Sequence, residues 1–370
     1  MTKRLLALAT GLAMLVLAAC GGGSAAPAAQ GGSGAQAGAQ SGPPTTPEQL
    51  AAYTGADREQ ILEAGAKKEG TLTWYTSLAG PIVDSLANGF KAKYPGVNVD
   101  IFRSDESAIL TRATQEAQAN KPVFDVVEVT PTASLLLAQG KLITAFNSPT
   151  GAKLPDALKT AGPNGLIMSA SDRVSYIGFG YNTKLITGNA VPKTMDDLMS
   201  PELTGKLTLA GTTTGYRWLG AVLHLKGDDA GKKWLADFAS KQKPQVQQIS
   251  GKAVLDLVAK GEVPASPTIF LDHVEQAKDS GLPAEWVPLN PVVANAGQVS
   301  FDAKAPHPNA GLLYIDYLLG DGQAILKQNH YFPATEQVPF TPWLPEQGMT
   351  ADQAAQQDKT WSDLFKQYFR

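Results

Sequence analysis

Apolar and polar positions change from a strand-like to a helix-like period within one stretch of the chain. Residues 72–75 form a short apolar run, and Ile82, Val83, Leu86 and Phe90 then recur on one face of a helix. A small polar turn lies between them, and a proline begins the helix, where a missing N–H costs nothing. This order leaves backbone N–H groups free at the carboxyl edge of a sheet, where open α/β sheets bind ligands. The alternative is a βα unit that carries only a Ser/Thr cap.

The same order repeats twice further along the chain. Strands are predicted at residues 97–102 and 124–129, and each precedes a polar turn and a helical apolar pattern. Three consecutive strand–turn–helix units predict an α/β protein with a largely parallel sheet. The turns that follow these strands should therefore open on one edge of the sheet.

A long strand at residues 174–182 differs from these units because two glycines occupy positions where larger side chains are expected. Glycine in a strand marks a bend or a close backbone approach, so we predict that this strand leaves a first lobe and enters a second. A return strand is predicted at 290–301, and helical patterns cover 50–69, 310–319 and 343–370. Two lobes joined by two crossing strands enclose a cleft, which suits binding by hinge closure.

The beginning of the chain has the order of an export signal. Basic residues at positions 3 and 4 precede an apolar run, 5–17, that is too short for an ordinary membrane span. The run ends in Leu-Ala-Ala-Cys, which resembles the lipobox of bacterial lipoproteins, whose cysteine is acylated and becomes the mature N-terminus. Cys20 is the only cysteine of the chain, so no disulfide can form within it. The alternative is a plain signal peptide with a chance cysteine.

The segment after Cys20 is rich in Gly, Ala, Ser, Gln and Pro up to about residue 47. It has no apolar periodicity and cannot offset its ordering entropy. We therefore predict a flexible, lipidated tether that holds a globular body near the outer face of the cell membrane or in the periplasm.

Composition narrows the class of function. The chain is 43% hydrophobic and 18% charged, which is ordinary for a globular protein. A net charge of -3 and the lack of a basic stripe argue against nucleic acid as a partner. No G-x-S-x-G, H-E-x-x-H, C-x-x-C or P-loop pattern is present. We therefore expect no catalytic residues, no cofactor and no enzyme activity.

The globular part resembles the periplasmic or lipoprotein substrate-binding proteins of ABC importers, of the ferric-iron-binding type. The resemblance extends over nearly all of residues 70–333, and no single segment carries it alone. The segments that carry it are TLTWYTSL, FKAKYPGVNV, FDVVEVTPTASLLLAQGKL, YIGFGYNTKLI, LMSPELTGKLTLAGTTTGYRWLGAVLHLKGDDAGKKWL and PHPNAGLLYIDYLLGDGQAIL.

The resemblance implies a type II periplasmic-binding-protein-like fold, with two hinge-crossing strands and a ligand cleft between α/β lobes. It also implies a monomer that delivers a small solute to an ABC permease. The predicted parts of the chain are a signal peptide (1–19), a lipidated tether (20–48), a first lobe (49–175 and 295–333) and a second lobe (176–294 and 334–370).

The resemblance leaves the solute open. Iron-binding members supply a histidine after the first strand, a carboxylate after the third and two adjacent tyrosines in the second lobe. This chain has Leu78 and Ala79 after the first strand and Thr130 after the third. About Leu271 and Asp272 take the place of the tyrosines. Ferric iron needs anionic oxygen donors, so we expect no metal site and favour an organic anion bearing phosphate or carboxylate. Ferric iron or an iron chelate is the alternative.

Hydroxyl groups, arginines and helix starts near the predicted cleft suit such an anion. The candidate ligand-binding residues are Thr76, Ser77, Arg103, Ser104, Thr130, Thr212, Thr213, Thr214, Tyr216, Arg217 and Asp272. Each arginine has the alternative role of a surface or packing residue, and Asp272 that of a helix cap. A sensor or adhesin with the same fold is a further alternative to the transport protein.

Overall fold

The computed structural model describes residues 44–78 and 80–369. The predicted signal peptide, Cys20 and the predicted tether up to residue 43 lie outside the described residues. None of the helices in the described part of the chain combines the length and the apolar character that a membrane span requires.

Helices and strands alternate along most of the described chain. The helices are α1 (Pro47–Ala52), α2 (Arg58–Glu69), α3 (Gly80–Lys93), α4 (Glu106–Gln118), α5 (Pro131–Gln139), α6 (Thr213–Lys226), α7 (Asp228–Gln242), α8 (Gly251–Lys260), α9 (Leu271–Asp279), α10 (Pro308–Leu319), α11 (Gly322–Gln328) and α12 (Ala351–Tyr368). The strands are β1 (Thr71–Thr76), β2 (Asn98–Arg103), β3 (Val126–Val129), β4 (Ile143–Thr144), β5 (Lys159–Ala161), β6 (Ile167–Asn182), β7 (Thr208–Ala210), β8 (Gln245–Gln247), β9 (Ala265–Phe270), β10 (Ala284–Val287), β11 (Val292–Asp302), β12 (Phe332–Pro333) and β13 (Pro342–Trp343).

The three strand–turn–helix units form the parallel sheet that their patterns predict. The main sheet has the strand order β10-β6-β11-β3-β1-β2, and β1 pairs in parallel with both β2 and β3. Trp74 is opposite Ile101 on one side and Val126 on the other. The carboxyl ends of these strands therefore lie at one edge, next to the starts of α3, α4 and α5. We call this part of the molecule the first lobe.

Two long antiparallel strands, β6 and β11, run from the first lobe into a second group of elements. β6 pairs with β5 at its start and with β9 and β10 at its end, while β11 pairs with β13 at its start and with β3 and β4 at its end. We call the part that contains α6–α9 and β7–β10 the second lobe. The predicted α/β fold with two crossing strands is confirmed.

The two glycines of β6 lie where other chain parts come close. A Cβ on Gly178 would lie 2.3 Å from the Trp286 ring, and a Cβ on Gly180 would lie 2.7 Å from Ile269. Both clashes are far inside normal contact distance, so a larger residue would push β6 away from β9 and β10. The close approach that the sequence predicts is therefore confirmed.

Two helical predictions are wrong in their extent. The pattern at 50–69 is two helices, α1 and α2, separated by a short break. The predicted last helix at 343–370 begins only at Ala351, because Pro342 and Trp343 pair with β11 and a capping box at Thr350 and Gln353 defines the helix start. The delayed start leaves residues 344–349 as a loop.

The last helix packs mainly on the second lobe. α12 lies against α6 and α7, and Trp361 and Phe365 are part of the apolar core there. Its start also touches the first lobe, where the Gln139 amide donates a hydrogen bond to Asp352 at 3.0 Å. The chain after β13 thus contacts both lobes.

Candidate ligand-binding cleft

A cleft of about 350 Å³ lies between the two lobes, beside the crossing strands. Its walls come from the ends of β1 and β2, from β6 and β11, and from helix starts of the second lobe. The lining residues are Ser77, Leu78, Gly80, Arg103, Arg173, Ser175, Thr214, Ser250, Gly251, Lys252, Phe270, Asp272, His273, Asn295 and Tyr331.

Four helices begin at this cleft. Gly80 is the first residue of α3, Thr214 the second of α6, Gly251 the first of α8 and Asp272 the second of α9. The α8 start lies tightly against α6, since a Cβ on Gly251 would lie 3.1 Å from the Thr214 methyl group. Helix starts present free N–H groups and a partial positive charge, so this cleft favours negative charge.

Arg103 supplies a positive charge on the first-lobe wall. It ends β2 opposite Thr76 of β1, which carries it to the carboxyl edge of the sheet. Its Nε donates to the Leu78 carbonyl at 3.0 Å. No carboxylate of the described residues lies within ion-pair distance of its guanidinium, and the residue is exposed. The guanidinium is therefore held in place by the main chain and remains able to pair with an anion.

Arg173 lies at the base of the cleft on crossing strand β6. Its Nη2 donates to Glu128 Oε1 at 2.9 Å, and both side chains are buried. The other oxygen of Glu128 accepts from the Thr76 hydroxyl at 2.6 Å, and that hydroxyl accepts from the Leu78 amide at 3.0 Å. This network ties the end of β1 to the crossing strand, and the Thr76 hydroxyl both donates and accepts a hydrogen bond within it.

A second buried carboxylate lies beside this network. Neither oxygen of Asp172 has a hydrogen-bond partner among the described residues. Burial, and then the negative charge of Glu128, raise the pKa of Asp172 to about 7. Gly297 makes room for the two acids, because its Cβ would lie 2.5 Å from an oxygen of each.

The second-lobe wall carries a carboxylate of its own. Asp272 is fully buried, and neither of its oxygens has a hydrogen-bond partner among the described residues. His273 Nε2 is 3.5 Å from the carboxylate, and burial lowers the pKa of His273, which leaves its ring neutral. Burial also raises the pKa of Tyr331 to about 12, so its phenol is uncharged at neutral pH.

Buried polar atoms without partners gather where the lobes meet. Since nearly all buried polar groups in folded proteins are hydrogen-bonded, such a cluster indicates where a bound molecule would supply partners. At the lobe junction these atoms belong to Asp172, Arg173, Arg217, Asp272, His273, Asn295, Gln298 and Glu346.

The structure brings four of the predicted site residues together in the cleft. Ser77, Arg103, Thr214 and Asp272 all line it. Of these, Ser77 and Arg103 come from the first lobe, and Thr214 and Asp272 from the second. A molecule in the cleft would therefore contact predicted residues of both lobes.

The other predicted residues are placed outside the cleft lining. Ser104 and Thr130 follow β2 and β3, and the Thr130 amide donates to Glu106 at 2.8 Å. Thr212 is the N-cap of α6, and Thr213 is exposed beside it. Thr76 is fully buried in the Glu128 network. These hydroxyls remain predictions as ligand contacts.

Tyr216 and Arg217 have partners within the protein. The Tyr216 hydroxyl donates to the Gly211 carbonyl at 3.0 Å, and its ring packs on Phe365. The Arg217 Nη2 donates to Glu346 in a buried ion pair, while its Nε and Nη1 have no partner. The alternative role of Arg217 as a packing residue thus has a structural basis.

The sequence prediction missed the residues that the crossing strands contribute. Arg173 lies one position before the strand predicted at 174–182, and Ser175 is opposite Asn295 in the β6–β11 register. Ser250 gave a detectable signal, because it is an N-cap whose hydroxyl accepts from Ala253 at 3.2 Å. Tyr331 follows α11 and had no local signal that linked it to the cleft.

Comparison with known proteins identifies relatives of the chain. Residues 85–356 match the family model described as bacterial extracellular solute-binding protein. No curated protein sequence matches the chain. The solved structures that resemble it include iron-bound HitA from Pseudomonas aeruginosa, with a TM-score of 0.65 and 21% identity over 79% of this chain and 99% of that one.

Two further structures share the fold at low identity. AfuA from Actinobacillus pleuropneumoniae, with fructose-6-phosphate bound, has a TM-score of 0.64 and 22% identity, covering 80% of this chain and 99% of that one. IdiA (FutA) from Trichodesmium, in complex with iron and citrate, has a TM-score of 0.62 and 16% identity, covering 81% of this chain and 99% of that one.

Proposed function

This chain belongs to the family of bacterial extracellular solute-binding proteins, and from that premise we propose that it captures a compact organic anion for an ABC permease. The observation that carries the choice of an anion is the set of four helix starts at one cleft, together with the unpaired guanidinium of Arg103. Both features favour phosphate or carboxylate groups.

The size of the cleft supports a small solute. Its volume of about 350 Å³ is near the lower end of the roughly 300–1,000 Å³ that ligand pockets usually have. Hydroxyls of Ser77, Ser175, Thr214 and Ser250 add hydrogen-bonding groups on both sides. The lobes would close on the solute by bending at β6 and β11.

Ferric iron is a weaker candidate on the same observations. No group of three or more His, Cys, Asp or Glu side chains in the described ranges could hold a metal ion. Asp272 is the one carboxylate among the cleft-lining residues, and a ferric ion requires several anionic oxygen donors. Among the structural neighbours, AfuA carries a sugar phosphate and IdiA carries citrate as well as iron, which is consistent with an anion.

Members of the family are transport solute-binding proteins and not enzymes, and we propose the same for this chain. We also propose that it acts as a monomer held at the membrane by a lipid on Cys20. The motif Leu-Ala-Ala-Cys and the Gly/Ala/Ser-rich segment after it support the anchor.

Replacing Arg103 with alanine should weaken anion binding by about 1.5–3 kcal/mol, or roughly 10- to 150-fold in Kd. The variant removes the guanidinium that no carboxylate of the described residues neutralises. A thermal-shift screen of organic phosphates, phosphonates, carboxylates and ferric citrate selects the ligand, and calorimetric titration then gives Kd.

The matched control is Arg112→Ala. Arg112 belongs to the same lobe but pairs with Glu116 at 2.8 Å and does not line the cleft. Its affinity should equal that of the wild type. A protein that responds to ferric salts and to no organic anion, or an Arg103→Ala variant with wild-type affinity, would contradict the proposal.

Changing Cys20 to serine should release the protein from the membrane, because the thiol that would carry the lipid is lost. Fractionation of expressing cells and labelling with a radioactive fatty acid measure the change. The wild type should sediment with membranes and take up label. A serine variant that still sediments and is labelled would show that the attachment lies elsewhere.

A further inference from the structure

Asp272 is unusual because it is the one carboxylate among the residues that line the cleft. The side chain is fully buried and both oxygens lack hydrogen bonds within the described residues. A buried carboxylate normally requires an opposite charge or several hydrogen bonds, since burial removes its hydration. A molecule bound in the cleft can supply the missing partner.

The groups around Asp272 do not supply that partner. His273 is the nearest base, at 3.5 Å, and is neutral because burial lowers its pKa. The guanidinium of Arg173 lies near Asp272, but its ion pair is with Glu128 at 2.9 Å. Lys252 pairs with Asp256 at 2.5 Å. Tyr331 is uncharged. Arg173 and Lys252 thus each form an ion pair with an acid other than Asp272.

An unpaired charge of opposite sign lies on the other wall. Arg103 belongs to the first lobe and has no carboxylate within ion-pair distance among the described residues. Asp272 belongs to the second lobe, and both residues line the same cleft. The two lobes thus present complementary unpaired charges to a molecule between them.

We infer that the solute is dipolar, with an anionic group toward Arg103 and an ammonium group bound to Asp272. This inference rests on the proposed function, because it assumes that the cleft binds an organic anion. A hydroxyl group could donate a hydrogen bond to Asp272 but would leave its charge uncompensated. An ammonium group donates hydrogen bonds and also compensates the charge. Asp272 would then select among anions by their second functional group.

Two matched series of probe compounds, one of phosphates and one of carboxylates, test this inference. Kd is measured by calorimetric titration for 2-aminoethyl phosphate, 2-hydroxyethyl phosphate and ethyl phosphate, and for 4-aminobutyrate against butyrate. In at least one series the ammonium compound should bind ten-fold or more tightly than its partners. In Asp272→Asn this preference should disappear while binding of the plain anion persists.

The outcomes separate the two proposals. Equal binding of ammonium and plain compounds would overturn the dipolar solute and leave the organic anion standing. Failure of every phosphate and carboxylate to bind would overturn both. Loss of all binding in a folded Asp272→Asn variant would also contradict the assigned role, because that side chain would then be needed for the anion itself.

A measurement without any ligand gives an independent test. If Asp272 is an uncompensated buried charge, Asp272→Asn should raise the Tm of the ligand-free protein. The control is Glu128→Gln, which alters a buried carboxylate that is paired with Arg173 and should lower Tm. A lower Tm in Asp272→Asn would show that the protein itself satisfies this carboxylate, and the inference would be wrong.

Discussion

Replacing Arg217 with alanine is expected to lower the free energy of unfolding by about 3–5 kcal/mol, the usual cost of breaking a buried ion pair. Arg217 is 2% exposed and donates to Glu346, which is 5% exposed. Without the guanidinium the glutamate is buried without a compensating charge, and burial already raises its pKa. Urea unfolding followed by circular dichroism measures the loss.

An exposed ion pair is the control for this variant. Lys359 and Asp363 form an i,i+4 pair on α12 with side chains 68% and 58% exposed, so Lys359→Ala should cost no more than about 0.5 kcal/mol. A double variant, Arg217→Met with Glu346→Leu, should recover most of the stability because neither charge remains buried. A loss below about 1 kcal/mol in Arg217→Ala would contradict the role of this pair.

The same variants separate packing from recognition at Arg217. Its sequence context, beside a hydroxyl-rich turn and a helix start, predicts a ligand contact, whereas its structural context is the ion pair with Glu346. The partner lies 129 positions along the chain, and no local pattern connects them. Affinity measured at a temperature where the double variant is folded tests the predicted contact by itself.

The fold could be predicted where one local period determined each element. β1 was predicted from a short apolar run, and α3 from apolar positions that repeat with the 3.6-residue period of a helix. β6 was predicted seven residues too short, since it begins at Ile167. Residues 169–173 include Ser169, Ser171, Asp172 and Arg173, and all of them are buried. Polar residues that are buried by tertiary pairing give no strand pattern in the sequence.

In the same way, only some residues of the candidate site could be predicted from the sequence. Ser77, Arg103 and Thr214 follow strands or begin helices, and such positions are visible in sequence. Arg173 and Asn295 reach the cleft only because β6 and β11 pair across more than a hundred residues. The unpaired state of Asp272 is also invisible in sequence, since it depends on the commitments of Arg173 and Lys252 to other acids.

Changing Asp172 to asparagine is expected to stabilise the protein at pH 8. The pKa of Asp172 rises from an ordinary 3.8 to about 7 in the folded state, chiefly through burial. The folded protein therefore keeps a proton that the unfolded chain releases between these values. The stability that this group contributes is present at low pH and is lost as pH rises through about 7.

A difference of one in pKa between the folded and unfolded states corresponds to about 1.4 kcal/mol of stability. The gain is smaller than the pKa alone suggests, because asparagine leaves a buried amide that must find hydrogen-bond partners. We therefore expect Asp172→Asn to gain on the order of 1 kcal/mol or more at pH 8 and markedly less at pH 5. Urea unfolding at a series of pH values measures the difference between variant and wild type. That difference isolates Asp172 from Asp302, whose pKa burial also raises to about 7.

The control for Asp172→Asn is Asp156→Asn, because the Asp156 side chain is fully exposed and its ion pair with Lys159, at 3.3 Å, is a surface pair that contributes little. Its stability should follow that of the wild type at every pH. Adding Asp302→Asn to Asp172→Asn should flatten the pH dependence of stability further. Both carboxyl groups have raised pKa values, so each lowers the stability of the folded protein as pH rises. A constant difference between Asp172→Asn and wild type from pH 5 to pH 8 would show that Asp172 is ionised throughout, and the proton assigned to the crossing strand would then be absent.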